Sequence, residues 1–278
     1  MAGLILGPAM TAPEIRELDA GRIAFFSAPS PDKPTPNEDA ASLIPIGPRG
    51  VILVVADGVG GMRAGREAAQ RVVGEITETV RQAAADASPP RVAILDGIER
   101  AQSAVRDLGG GAATTLTAVE VADGKARTYH IGDSVALLMG QRGKVKMQTI
   151  SHSPVGFAVE AGLLNDAEAI RHEDLHLVSN VIGAPDMRIE VGAWRRLSPR
   201  DTLIVGTDGV FDNLQTRELI DLIRTGPLPQ AAQRLVEAVR ERMEHPRPGQ
   251  PSKPDDATFL IFRPNSPVPS GPPEGRVR

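Results

Sequence analysis

The chain of 278 residues contains no cysteine. That excludes disulfides, thiolate metal sites and a cysteine nucleophile. Aromatic residues amount to only 3%, with one Trp and one Tyr, so the core must be built mostly from Val, Ile, Leu and Ala. Long apolar runs are missing too. The longest, such as Val51 to Ala56, fall far short of the ~20 residues that a bilayer span requires. There is no block of basic residues, and the formal net charge is −4. A nucleic-acid partner is therefore not indicated. The opening MAGLILGPAM has no basic start and reads as a short extension rather than a signal peptide. Neither a membrane partner nor export is expected, and the lack of disulfides fits the cytoplasm.

What is present is ordinary for a globular chain, with 41% hydrophobic and 24% charged residues. One domain is expected over residues 21–263, with an N-terminal extension over 1–20. Residues 264–278, rich in Pro, Gly and Ser, read as a disordered tail. Gly50–Ala56 is a β-branched run and reads as a buried strand. Ala68, Val72, Ile76 and Val80 recur on one helical face within a helix expected over 64–84. A second helix is expected over 90–108, opened by proline. Strands follow at 114–121, 125–130, 135–139 and 145–150, with a hairpin signal at Ala122-Asp123-Gly124. A polar, partly helical stretch covers 152–182. Strands at 188–195 and 201–206, helices at 215–224 and 229–244, and a last strand at 257–262 complete the reading. Clustered strands bracketed by helix pairs suggest an α+β fold: two mainly antiparallel sheets with helices outside.

Acidic residues stand at the ends of these elements. They are Asn37-Glu38-Asp39, Asp57-Gly58, Gly132-Asp133, Asp208-Gly209 with Asp212, and Asp255-Asp256. Asp57 and Asp208 each end a strongly apolar strand. A carboxylate at the rim of a core is costly unless a cation compensates it. Glycine after the Asp permits a sharp turn and brings a carbonyl close. Oxygen ligands of this kind suit Mg²⁺ or Mn²⁺. One such pair is a common turn; the set together points to a metal site.

The motifs NEDA (37–40), VVADGVGG (54–61), GGAATTLTAV (110–119), HIGDSVALL (130–138), LIVGTDGVFDNL (203–214) and PDDATFLIF (254–262) resemble, in order, those of the metal-dependent type-2C protein phosphatases. The DGxGG form is similar to bacterial members. The resemblance implies a four-layer αββα fold, a central antiparallel β-sandwich flanked on both faces by α-helices. It implies hydrolysis of phosphoserine and phosphothreonine on proteins, by a water bridging two Mn²⁺ or Mg²⁺ ions. Two such ions lower the pKa of the shared water and neutralise phosphoryl charge. Carried over by position, Asp57 bridges the ions, Gly58 offers its carbonyl, and Glu38, Asp208 and Asp255 are further ligands, some through water. Asp39 orients a bound water and, with Asp57, is assigned to catalysis. Asp133 and Asp212 match ligands of a third, more weakly held ion. Asp256 stands where many members have Asn and ranks below Asp255. The partners implied are phosphorylated proteins, such as a serine/threonine kinase or its targets.

Three departures stand out. Pro34 fills the slot of a phosphate-gripping Arg, so neighbouring Lys33 becomes the candidate phosphate anchor. Val59 fills the slot of a proposed general acid, and Ser151-His152-Ser153 replaces an Asp-His-Ser. The alternative functions are a catalytically weak member that binds phosphoprotein or metal, and a phosphatase of a small metabolite. Among remaining residues, His130 reads as packed, His152 as a solvated loop histidine, Trp194 as packing and Arg195-Arg196 as a solvated pair. Arg63 and Arg66 could face phosphate or pair with helix acids. The GGMRAGRE stretch lacks the Lys and Ser/Thr of a P-loop.

Overall fold

The computed structural model describes residues 3–7, 9–31, 33–59 and 62–265. The chain begins with β1 (Gly3–Leu6), β2 (Glu14–Leu18), β3 (Gly21–Ala28), β4 (Ala40–Ile46), β5 (Gly50–Ala56) and the short β6 (Gly58–Val59). Two long helices follow, α1 (Met62–Ala85) and α2 (Pro90–Leu108). Next come β7 (Ala113–Thr114), β8 (Leu116–Ala122), β9 (Lys125–Ile131), β10 (Val135–Met139) and β11 (Val145–Gln148). A flap carries α3 (Pro154–Glu160) and α4 (Asp166–Ala169) and returns through β12 (Glu190–Val191) and β13 (Arg195–Arg196). The last part comprises β14 (Thr202–Gly206), α5 (Asp208–Phe211), α6 (Thr216–Ile223), α7 (Leu228–Glu244) and β15 (Ala257–Pro264).

Two sheets form the centre. One runs β1-β4-β5-β8-β9-β12, with β13 also on β9; the other runs β11-β10-β14-β15-β3-β2. Strand neighbours within both sheets are antiparallel. The two-residue period of a strand explains why the central ones are apolar throughout. In β5, Val51, Leu53 and Val55 enter the core between the sheets. Ile52, Val54 and Ala56 instead face the layer of α1 and α2. β15 divides the same way: Leu260 and Phe262 lie between the sheets, while Phe259 and Ile261 pack under α6 and α7. Ala68, Val72, Ile76 and Val80 all belong to the α1–α2 layer, as their spacing predicts. The four-layer sandwich expected from the resemblance is the fold observed.

Several elements differ from expectation. Residues 3–6 and 14–18, read as part of an extension, are strands: β1 pairs with β4 and β2 with β3. Each extends an otherwise open sheet edge, which the short, mixed sequences do not advertise. β3 and β4 were not expected either. Pro45 inside β4 argues against a strand on sequence grounds. The single strand expected over 188–195 is two short ones on β9, whose registers differ by one residue across a bulge at Gly192 to Trp194. Pro264 closes β15 and Asn265 bonds back to Leu18 and Asp19. The rest of the expected disordered tail lies outside the described residues.

Helix packing supplies a test of the fold. A Cβ on Gly97 of α2 would lie 2.5 Å from Thr79 Oγ1 and 2.9 Å from Ile76 Cα in α1, whereas Gly74 on α1 has open space. We expect Gly97→Val to destabilise the chain by about 1–3 kcal/mol, since Ile76 Cα cannot move without separating the helices. Gly74→Ala should stabilise it by up to ~1 kcal/mol through helix propensity alone. Thermal or urea unfolding checks both signs; a Gly97→Val protein as stable as the parent would contradict this packing.

Candidate metal centre

The acids predicted to work together end up together, at one end of the sandwich. Asp57 leaves β5, and its backbone is held on both sides. Its N–H donates to Thr115 Oγ1 at 3.0 Å, and its carbonyl accepts from Thr115 N and Thr114 Oγ1 at 2.9 and 2.7 Å. The two threonines of the GGAATT stretch thus place Asp57. Gly58 next to it lies against the first turn of α1: a Cβ there would overlap the carbonyl of Gly65. Gly65 is itself constrained, since its own Cβ would come 2.8 Å from Gly58 O and 3.3 Å from Glu38 Oε1. Gly65 is a site residue that sequence reasoning missed. Its signal was a glycine inside a helical pattern, within a stretch weighed as a P-loop and for its two arginines.

Asp208 follows β14 and opens α5. The Asp212 N–H donates to the Asp208 carbonyl at 2.7 Å, so the two carboxylates sit one helical turn apart on the same side. Gly209 is required, because a Cβ would collide with Asp256 O. Asp39 is fully buried. Its Oδ2 accepts from Thr207 Oγ1 at 2.9 Å, and its N–H donates to Asn37 Oδ1 at 2.9 Å. Asn37 in turn donates to Ser27 Oγ at 2.9 Å. Asp133 follows Gly132, whose φ of 106° suits glycine. Burial and then repulsion from Asp208 raise the Asp133 pKa to about 7. The same two causes raise Asp212 to about 8 and Asp255 to about 6. Asp39 and Asp57 are also raised well above the ordinary value, by burial first and by neighbouring acids that include Asp208.

Two ammonium groups enter this cluster. Lys33 Nζ donates to Asp256 Oδ2 at 2.7 Å and to Glu38 Oε2 at 2.8 Å. Burial disfavours its charge, but these two carboxylates outweigh burial and raise its pKa. The expected phosphate anchor is therefore engaged in an internal ion pair. The reason is proximity: Asp256 supplies the charge that an Asn would lack. Asp256 is also more than a secondary acid. It is buried, and its two oxygens accept the backbone N–H groups of Ser30 and Glu38 at 2.8 and 2.7 Å, which fastens the chain on either side of Pro34 to the site. Lys253, unremarked in the sequence, donates to Asp208 Oδ2 and lies 3.1 Å from Asp212 Oδ2 and 3.5 Å from Asp255 Oδ2.

The histidines divide. His130 is packed as expected, between Thr117 Oγ1 and the Ile150 carbonyl, and burial followed by the neighbouring His152 lowers its pKa to about 3. His152 is not solvated. It is buried, its Nδ1 accepts from Gly132 N and Asn180 Nδ2, and its Nε2 faces Glu190 at 3.2 Å. It ties the start of the flap to the turn that carries Asp133. Trp194 is partly exposed and stacks on the Arg127 guanidinium at 4.3 Å. Arg195 and Arg196 are exposed as expected. The Arg63 side chain lies outside the described residues; Arg66 Nε is buried without a hydrogen-bond partner.

Among the described residues, three carboxylate oxygens are also buried without any hydrogen-bond partner: Glu38 Oε1, Asp39 Oδ1 and Asp208 Oδ1. Such atoms are costly unless something positive meets them. An oxygen-only donor set that includes them suits a hard divalent cation. Among the described residues no three acids close on one ion as they stand; Lys33 and Lys253 draw five of them to ammonium groups instead.

Comparison with known proteins gives the class and then the family. The fold is that of bacterial serine/threonine phosphatases. The PPM Ser-Thr phosphatase MsPP from Mycobacterium smegmatis, solved with cacodylate, is 26% identical with a TM-score of 0.69, over 87% of this chain and 98% of that one. The catalytic domain of the phosphatase PstP, solved with two manganese ions, has a TM-score of 0.66 at 22% identity, over 95% and 100%. A putative protein phosphatase 2C-type protein of Streptococcus pyogenes is 30% identical over 187 residues, 63% of this chain and 74% of its own. The family model of protein phosphatase 2C matches residues 32–249, and this chain belongs to that family.

The raised carboxyl pKa values set the pH dependence of the metal-free chain. In the folded chain Asp255, Asp133 and Asp212 hold protons up to about pH 6, 7 and 8, respectively. The unfolded chain releases them near the ordinary value of 3.8. Stability from these groups is therefore fullest at low pH and falls as pH rises through that window. We expect the Tm of chelator-treated protein to fall between pH 5 and 8.5, and saturating Mn²⁺ to offset the fall. A metal-free Tm that climbs across the window would contradict the acid cluster as described.

Proposed function

We propose that the chain removes phosphate from phosphoserine and phosphothreonine on proteins, with divalent cations held by Glu38, Asp57, the Gly58 carbonyl, Asp208 and Asp255. The observation that carries this reading is the set of orphaned oxygens on Glu38, Asp39 and Asp208 beside Asp57. Mn²⁺ or Mg²⁺ bound there would lower the pKa of a water and screen phosphoryl charge. The remaining chemistry falls to the chain. Asp39, held through Oδ2 by Thr207, keeps Oδ1 free to orient a water beside Asp57. Asp133 and Asp212 also line a pocket of about 330 Å³ under the flap. Val155, Ile170, Leu175 and Phe211 line its apolar side, which offers room for a protein segment next to the phosphorylated residue. No helix among the described residues is long and apolar enough to cross a membrane. The reading extends to a cytoplasmic enzyme in signalling, acting on a serine/threonine kinase or on that kinase's targets.

The test is turnover of a phosphothreonine peptide with Mn²⁺, with Mg²⁺ and with chelator, set against small aryl phosphates. We expect turnover only with metal, and a preference for the peptide. Asp57→Asn and Asp208→Asn should each cost more than the ~10–100-fold typical of losing an outer-shell partner. Both should stay folded, because each removes a repelling charge from the cluster. Full turnover in chelator, or near-parental kcat in both variants, would refute the reading.

A further inference from the structure

Lys253 occupies a place that neither its sequence context nor the family resemblance explains. Its ammonium meets Asp208 Oδ2, Asp212 Oδ2 and Asp255 Oδ2. It does not arrive there on a loose loop. Asn213 is fully buried, and its side-chain amide bonds both the N–H and the carbonyl of Lys253 at 2.8 Å. The same amide donates to the Gly209 carbonyl at 2.8 Å, in the turn directly after Asp208. The lysine backbone is therefore fastened to the element that carries Asp208 and Asp212. Only the side-chain torsions remain to be ordered in placing the ammonium.

The division of oxygens is the informative feature. Lys253 engages Oδ2 of Asp208, whereas Oδ1 of the same carboxylate is buried and free of partners. The other free oxygens, on Glu38 and Asp39, are not bonded by Lys253. The unpartnered oxygens thus stay open to divalent ions, while Oδ2 of Asp208, Asp212 and Asp255 already faces an ammonium. A third divalent ion at Asp133 and Asp212 would have to share Asp212 with an ammonium a hydrogen bond away, and like charges at that range repel.

We propose that the Lys253 ammonium stands in for the third cation, the one matched to Asp133 and Asp212, so that this chain loads two divalent ions and not three. The inference rests on the reading of the acid cluster as a metal centre. Lys253 is then a positioning residue: it neutralises Asp212 and holds Asp208 for the two divalent ions. A tethered cation does not dissociate, so this charge is independent of metal concentration.

Equilibrium dialysis against millimolar Mn²⁺, with bound metal counted by elemental analysis, tests this without reference to turnover. The parent chain should bind two ions, and Lys253→Arg should also bind two. Lys253→Gln should bind a third, and that ion should be lost again in Lys253→Gln/Asp212→Asn. Three ions on the parent chain would overturn the proposal even if the variants fail to fold. So would a folded Lys253→Gln that stays at two, or a double variant that keeps three. If the parent binds no Mn²⁺ at all, the metal-centre reading falls with it; if it binds two but Lys253→Gln gains none, only this inference falls.

Discussion

Carboxylates crowded at the end of a dry sandwich repel one another, and most of the local structure either forces that crowding or relieves it. β5 and β14 are apolar up to the residue before Asp57 and the one before Asp208, and β15 begins just after Asp255 and Asp256. Antiparallel pairing of β14 with β15, and stacking of that sheet on the one that holds β5, bring the three strand ends to one rim. Burial then raises the carboxyl pKa values, and mutual repulsion raises them further. Left uncompensated, such charge would favour unfolding. Two ammonium groups answer part of it, and divalent ions on the orphaned oxygens would answer the rest.

Precision at the site comes mostly from neutral side chains, with Asp256 as a charged exception. Thr114 and Thr115 hold the Asp57 backbone, Thr207 holds Asp39, and Asn213 holds Lys253 to the Asp208 turn. Asp256 fastens the loop that carries Glu38, and His152 fastens the Asp133 turn to the flap. Glycines supply the remaining tolerance: at Gly58, Gly65 and Gly209 any side chain would meet backbone. Together these restrict where the acids can go, which is the pre-organisation that a metal centre requires.

The parts legible in the sequence were those with strong local signals. A fully buried strand is apolar at every position, so β5 and β14 were plain, and so was the four-residue spacing in α1. The acids at those strand ends followed directly. The strands missed were those whose identity depends on a neighbour. β1 and β2 exist because sheet edges accept them, and β4 contains a proline. Contacts across long sequence distances were equally hidden. Nothing local tells that Lys33 will find Asp256, 223 residues on, or that Lys253 will find Asp208, 45 residues back. His152 was misjudged because its flap position suggested solvent, whereas Gly132 and Asn180 enclose it.

The central claim is that the converging carboxylates form a binding place for divalent cations, organised by the fold before any metal arrives. Anomalous diffraction at the manganese edge, from crystals soaked in Mn²⁺, tests it most directly. The account predicts anomalous peaks among Glu38, Asp57, Asp208 and Asp255, with the surrounding backbone essentially unmoved. Manganese bound elsewhere with none among these four residues, or a backbone that must be rebuilt to accept it, would contradict the account.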